Sequence, residues 1–215
     1  MEEAAKAVEK YGILPFFTNS VDGFSLEETV TPDIWFTDKE GPWEWKGPLI
    51  RKKGFFYGKF FENKAAYVAP EWFLRLANYR RNGYDFDARY DDGLASRRDL
   101  DLYSLIAANA PVVSKKLRET GNYGKNGIKG FDTMITRLQM QCYVNINDFV
   151  YTLDRHGKPY GWGVGVYTTP ELFAGEAFTK NVYKETPEES YEALFTHLRT
   201  LFPKESEKNL KTFLG

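Results

Sequence analysis

The 215-residue chain has one cysteine, Cys142, so no internal disulfide can form and nothing calls for an oxidising compartment. It has two histidines, His156 and His197, too few and too far apart for the spacing of a zinc site. No apolar run approaches the length of a membrane-spanning helix. The stretch Met1 to Lys10 is acidic and helical in pattern and lacks the basic, apolar, small-residue order of a secretory signal. These absences predict a protein that stays in the cytoplasm and away from membranes. A hydrophobic content of 42%, with 17% aromatic residues, is too rich for a disordered chain. One compact body over residues 1–215 is the expected organisation.

The net charge of -1 hides an uneven distribution. Positions 1–50 hold ten acidic and four basic residues, whereas positions 51–100 hold eleven basic and seven acidic ones. A basic centre with an acidic amino-terminal flank suits a polyanion met by one face, and an ordinary solvated surface accounts for the same numbers.

Start and stop signals divide the chain. A first helix from Glu2 ends at Gly12, and Ser25 with Glu28 forms a capping-box pattern for a short turn of helix. A helix over Gly41–Lys53 is followed by two strands, Phe55–Phe61 and Lys64–Ala69, joined at Glu62 and Asn63. Pro70 opens the next helix. The stretch Gly83–Gly93 has neither helical nor strand period and reads as a loop. A helix is expected over Asp99–Asn109, and Pro111 is expected to open another that ends near Gly121. Phe131, Met134, Ile135 and Leu138 share one helical face, and a long strand from Cys142 to Leu153 then turns at Arg155, His156 and Gly157 into a second hairpin through Tyr167. Thr186, Pro187 and Glu189 open a helix to about Phe202, and Ser206 caps a last short one. The predicted class is α+β, with winged-helix-like helix-and-hairpin units at 41–80 and 129–215. In the run Gly161, Trp162, Gly163, Val164, Gly165 the three glycines share one bare strand face, which predicts close approach by another element.

Trp43, Glu44, Trp45 and Lys46, then a short helix, Gly54, and the hairpin through Tyr57, Gly58, Lys59 to Val68, resemble a segment of the AlkZ and YcaQ proteins. These are winged-helix DNA glycosylases, and the resemblance covers roughly Gly41 to Tyr79. It implies tandem winged-helix units, duplex DNA as partner, and removal of alkylated bases or opening of crosslinks by hydrolysis of the glycosidic bond; no cofactor is expected. The family's signature of a glutamine, any residue, then glutamine or aspartate is matched by Gln139, Met140, Gln141, although these follow the tryptophan motif here and precede it in the family.

On a helix, residues two apart diverge by about 200° and cannot meet at one atom, whereas on a strand they share a face. Gln139 and Gln141 converge only if the strand has begun by Gln139, and a carboxylate such as Asp85 or Asp87 is then needed as the base. Polar capping of a helix end is the competing reading. The cluster Asp85, Asp87, Asp91 and Asp92 matches no calcium loop, and pairing with Arg80, Arg81 and Arg89 is expected before any metal. Lys46, Arg51, Lys52, Lys53, Lys59 and Lys64 are the candidate phosphate contacts, and edge-strand protection is the alternative use of the hairpin lysines. Trp43, Trp45 and Trp72 are expected to pack inside. The functional expectation is a DNA-binding relative of the alkylation-repair glycosylases; the alternatives are a non-catalytic DNA-binding or regulatory module, and an interaction or small-molecule-binding domain without a nucleic-acid role.

Overall fold

The structure, a computed structural model, describes residues 1–35, 41–157 and 159–215, with the backbone alone at 159, 160 and 162. From the amino terminus, α1 (Glu2–Tyr11) stops at Gly12, whose φ of 72° only glycine adopts without strain, and leads into β1 (Ile13–Pro15). A Cβ at Gly12 would also lie 2.1 Å from the Trp72 ring. The short helices α2 (Leu26–Thr29) and α3 (Pro32–Trp35) follow, the first capped by the Ser25 hydroxyl accepting from Glu28 N–H. Next come α4 (Pro42–Lys53), β2 (Phe56–Phe61), β3 (Lys64–Val68) and α5 (Pro70–Arg81). Glu62 and Asn63 between the strands both have positive φ, as a tight two-residue hairpin turn requires.

Four elements surround the second hairpin's base: α6 (Phe86–Asp91), α7 (Arg97–Asn109), β4 (Val112–Val113) and α8 (Ser114–Thr120). Then α9 (Phe131–Met140) leads to β5 (Asn145–Leu153) and β6 (Pro159–Thr168). The chain closes with α10 (Pro170–Ala174), α11 (Glu176–Thr179), α12 (Pro187–Leu201) and α13 (Glu207–Leu214), and α12 carries the capping box of Thr186 and Glu189.

All six strands belong to one antiparallel sheet in the order β1-β3-β2-β5-β6-β4. The α+β class holds, but the two helix-then-hairpin segments feed adjacent strands of a shared sheet. Register explains the layering. Ile13, Val68 and Phe56 stand opposite one another in a row, and Leu14, Tyr67, Tyr57 and Ile146 form the next row. Because strand side chains alternate, the first row faces one side and the second the other. On the first side Phe73, Leu76, Leu194, Leu198 and Phe213 from α5, α12 and α13 complete a buried core. On the second, Val8 of α1 and Leu49 and Ile50 of α4 do so. A third core joins α6 to α9 through Phe86, Leu102, Ile106, Leu117, Ile135 and Leu138.

Several expectations are corrected. Gly83–Gly93 contains α6, because the Asp85 carboxylate accepts from Ala88 N–H at 2.8 Å and starts a helix whose Phe86 is buried. Pro111 opens no helix; it precedes β4, whose Val112 and Val113 pair with Tyr167 and Val166. The strand expected from Cys142 begins at Asn145, since Cys142 has φ 60° in the turn that leaves α9. Ile13–Pro15, which has no pattern of its own, is recruited as a strand by Val68, Tyr67 and Ala66. His197 is half-buried and stacks on Trp72 at 3.8 Å. The close approach expected at the β6 glycines holds at two of the three, and against the paired strand β5: a Cβ at Gly163 would lie 2.8 Å from the Tyr151 ring and one at Gly165 3.3 Å from Ile146, whereas Gly161, with φ 70°, has nothing within 4 Å. The Trp162 side chain named with those glycines lies outside the described residues.

A candidate nucleic-acid interface

The apolar stripe of α9, Phe131, Met134, Ile135 and Leu138, is buried, so the opposite stripe of Asp132, Thr133, Thr136, Arg137 and Met140 faces outward beside β2. Together with Lys59, Asn63 and Gln141 these residues line an open cleft of about 680 Å³. Lys59 Nζ reaches Thr136 Oγ1 at 3.4 Å, and Asn63 N–H approaches Met140 Sδ at 3.3 Å. Arg137 is held in place by a two-pronged pair with the buried Asp99, at 2.6 Å to Oδ1 and 3.1 Å to Oδ2. Asp132 pairs with Arg118 at 2.5 Å and is largely exposed.

The two glutamines separate. The helix continues through Met140, so the condition for convergence fails: Gln139 lies in the last helical turn and Gln141 is the residue that ends it. Gln139 is 1% exposed, and its amide is spent at both ends. Its Oε1 accepts from Lys59 N–H at 3.0 Å and its Nε2 donates to the Ile135 carbonyl at 3.1 Å. This side chain acts where β2 has lost its strand neighbour, since β2 meets β5 only at Tyr57 and Ile146. Gln141 lines the cleft with Lys59.

Asp85 and Asp87 do not line that cleft. Asp85 caps α6, and Asp87 lies exposed in its first turn. Nearby, the Tyr84 carbonyl accepts from the hydroxyls of Tyr143 and Tyr183 at 2.9 and 2.7 Å. Arg81, 1% exposed, binds Glu171 at 2.7 Å and the Cys142 carbonyl at 2.8 Å. Here an arginine and carboxylate tie α5 to α10. The expected pairing of the aspartates with Arg80, Arg81 and Arg89 gives way to that arrangement. Among the described residues, no three side chains of metal-ligating type gather.

The basic candidates divide by what already occupies them. Arg51 is paired with Asp148, Lys53 with Glu9 at 2.9 Å, and Lys64 with the Thr18 carbonyl at 2.5 Å. Lys52 is exposed and Lys59 is exposed at the cleft. Lys46 is different in kind. It is 6% exposed, and its ammonium lies 4.4 Å from the Trp43 ring and 4.3 Å from the Phe149 ring. Burial pushes its pKa down to about 8, with Glu44 partly opposing the shift. Trp43 packs on Phe16, Phe17 and Trp35 and is half-buried at the margin of that core.

Arg137, Thr136 and Asp132 were absent from the sequence candidates. Their signal was the polar side of the α9 period, set one helical face away from the apolar stripe.

Fold and cleft together define an α+β protein with a polar surface cleft, lined by Lys59, Arg137, amides and the Asp132 carboxylate, between a sheet hairpin and a helix. A family model described as AlkZ related matches residues 1–215, the whole chain, and the chain belongs to that family. The relation to DNA repair glycosylases implied by the tryptophan motif is thereby supported. No curated protein and no solved structure matches the chain. Among the described residues, no helix is long and apolar enough to cross a membrane.

Proposed function

We propose that this protein binds duplex DNA, with the β2–β3 hairpin acting as a wing and the α9 cleft receiving the backbone. In this reading residues 1–215 act as one body, and 41–80 and 129–215 supply its two winged-helix-like units. The observation that carries it is the cleft itself, where Lys59, Arg137 and Gln141 combine charge with amide donors. Lysine and arginine supply sequence-independent attraction to phosphate, and an amide adds a directional donor. Lys52, Arg51, Lys53 and Lys64 extend the basic surface along α4 and the hairpin, with Arg51, Lys53 and Lys64 exchanging internal partners for phosphates. No cofactor is required. A single buried thiol, Cys142, suits a reducing cytoplasm.

Fluorescence anisotropy with a duplex of about 20 base pairs over a salt series tests this reading. Affinity should fall steeply with salt, and Lys59→Ala should reduce the slope of log K against log salt by about 1. Absence of binding at low salt, or affinity indifferent to salt, refutes it.

A second reading, hydrolysis of the glycosidic bond of alkylated bases, is favoured by family membership over the whole chain. Gln141 is then the cleft amide that orients water and Gln139 fixes the helix end beneath it; Asp85 and Asp87, the bases expected from the sequence, lie on α6 outside the cleft, so substituting them tests whether the chemistry uses them at all. Base release from alkylated duplex by the parent, Gln139→Ala, Gln141→Ala, Asp85→Asn and Asp87→Asn decides it. Release that all four substitutions leave unchanged removes these residues from the chemistry while leaving DNA binding intact.

A further inference from the structure

Residues 114–130, from the start of α8 to the residue before α9, carry Lys115, Lys116, Arg118, Lys125 and Lys129 against one acid, Glu119. The four lysines are exposed, and none forms an ion pair or hydrogen bond with a described residue. That separates them from Arg51, Lys53 and Lys64, each of which must leave an internal partner to meet a phosphate. A run of like charge is ordinarily a solvated face, and on a loose loop it would be no more than that. This loop is built. Tyr123 is 8% exposed, its ring lies 5.2 Å from that of Phe131, and its backbone bridges to Ile128. Ile128 N–H donates to the Asn122 carbonyl at 2.8 Å, and Gly124 N–H donates to the Ile128 carbonyl at 3.2 Å. Glycine is required at 127, where a Cβ would lie 2.0 Å from the Asn122 carbonyl oxygen. A loop fixed beforehand gives up little conformational entropy when it binds.

The loop also runs into the cleft. Gly130 leads directly into α9, and Arg118 stacks on Phe131 at 4.0 Å and pairs with Asp132, a residue of the cleft wall. Lys115 stands one turn from Arg118 on α8. The ten residues of α9 cover about 15 Å at 1.5 Å each. At about 3.4 Å per nucleotide along a strand, the two ends of α9 fit phosphates roughly four to five nucleotides apart. We propose that the α8–α9 loop, through Lys125 and Lys129 with Lys115 beside them, holds the DNA backbone that flanks the stretch received by the cleft. This rests on the DNA-binding reading above. The free cations of the loop then carry more of the phosphate contact outside the cleft than the paired cations of α4 and the hairpin. Ammonium groups meet phosphates without reading bases, so the loop adds affinity and salt dependence and no sequence preference.

The experiment is lysine acetylation of the full chain at low salt, alone, with a duplex of about 20 base pairs, and with phosphatidylserine vesicles, read by peptide mapping beside anisotropy over a salt series. With duplex, acetylation of Lys125 and Lys129 should slow by about threefold or more, while Lys204 and Lys208 react as in the free protein. At about 0.9 in slope per phosphate contact, Lys125→Ala with Lys129→Ala should lower the slope of log K against log salt by about 2, and Lys53→Ala with Lys64→Ala by less than about 1. Acetylation of the parent needs no variant, so a folding defect in either double substitution leaves the test standing. Duplex binding with Lys125 and Lys129 unprotected, or a slope loss for the Lys53 and Lys64 pair that matches theirs, overturns this inference and spares the cleft. Protection by vesicles and not by duplex assigns the loop to a lipid surface and overturns it as well. Absence of duplex binding overturns both readings.

Discussion

A largely buried lysine with no ion pair among the described residues weakens the fold that holds it, and replacing Lys46 by methionine measures by how much. Methionine keeps the unbranched length and can contact both rings through its thioether. The sign follows from the pKa. In the unfolded chain Lys46 titrates near 10.5, and in the folded chain near 8. Below about pH 8 both states are protonated, and the folded state carries the full burial penalty. Between about 8 and 10.5 the unfolded state holds a proton that the folded state has released, so this contribution to stability rises with pH. The shift corresponds to about 3 kcal/mol at 1.36 kcal/mol per pKa unit. Attraction to the Trp43 and Phe149 faces offsets on the order of 1 to 2 kcal/mol when the methionine is compared with the lysine. Lys46→Met should therefore be about 1 to 2 kcal/mol more stable than the parent at pH 7, or roughly 3 to 6 °C in Tm for a chain of this size. Urea denaturation from pH 7 to 9.5 checks it: the parent gains stability through the window, and the variant lacks that rise. Equal profiles, or a variant less stable than the parent at pH 7, refute the assignment of a desolvated amine.

Gln139→Leu should destabilise by about 2 kcal/mol, because it leaves Lys59 N–H without its acceptor; the urea midpoint should fall by about 1 M at a slope near 2 kcal/mol/M, with duplex affinity within twofold of the parent. Gln141→Ala should change stability by less than about 0.5 kcal/mol and weaken duplex binding about threefold, read by anisotropy. Arg81→Met should cost about 3 to 5 kcal/mol, since it strands Glu171 and the Cys142 carbonyl inside, and thermal unfolding should show it as the largest loss of the set.

The elements legible in the sequence are those that carry their own punctuation. Gly12 ends α1, Ser25 and Glu28 start α2, and Thr186, Pro187 and Glu189 start α12, each by a hydrogen bond that the local sequence alone specifies. The elements missed depend on distant partners. β1 is three residues long and exists because β3 offers it a free edge, and β4 is two residues long and is defined by β6. Helix α6 was missed for another reason. Asp85 and Asp87 drew attention as a carboxylate cluster, while the role of Asp85 as the acceptor for Ala88 N–H was present in the same residues.

The same distinction decides the site. Lys46 reads as a phosphate contact because it closes a tryptophan-rich motif within a basic stretch, yet the helical period already places it indoors. Trp43, Lys46, Gly47 and Ile50 fall at i, i+3, i+4 and i+7 of α4, the spacing of a buried stripe, and Lys46, Gly47 and Ile50 are buried. A glycine within that stripe leaves room for the Arg51 and Asp148 pair. Gln139 is the same case, since it sits at i+4 from Ile135 and one residue from Leu138 on the inner side of α9. What periodicity cannot supply is the partner across the gap: Phe149 arrives from β5, more than a hundred residues beyond Lys46, and the Lys59 N–H arrives from β2, eighty residues before Gln139. A polar residue on an apolar helical face is therefore a prediction of burial first, and of chemistry only once the facing element is known.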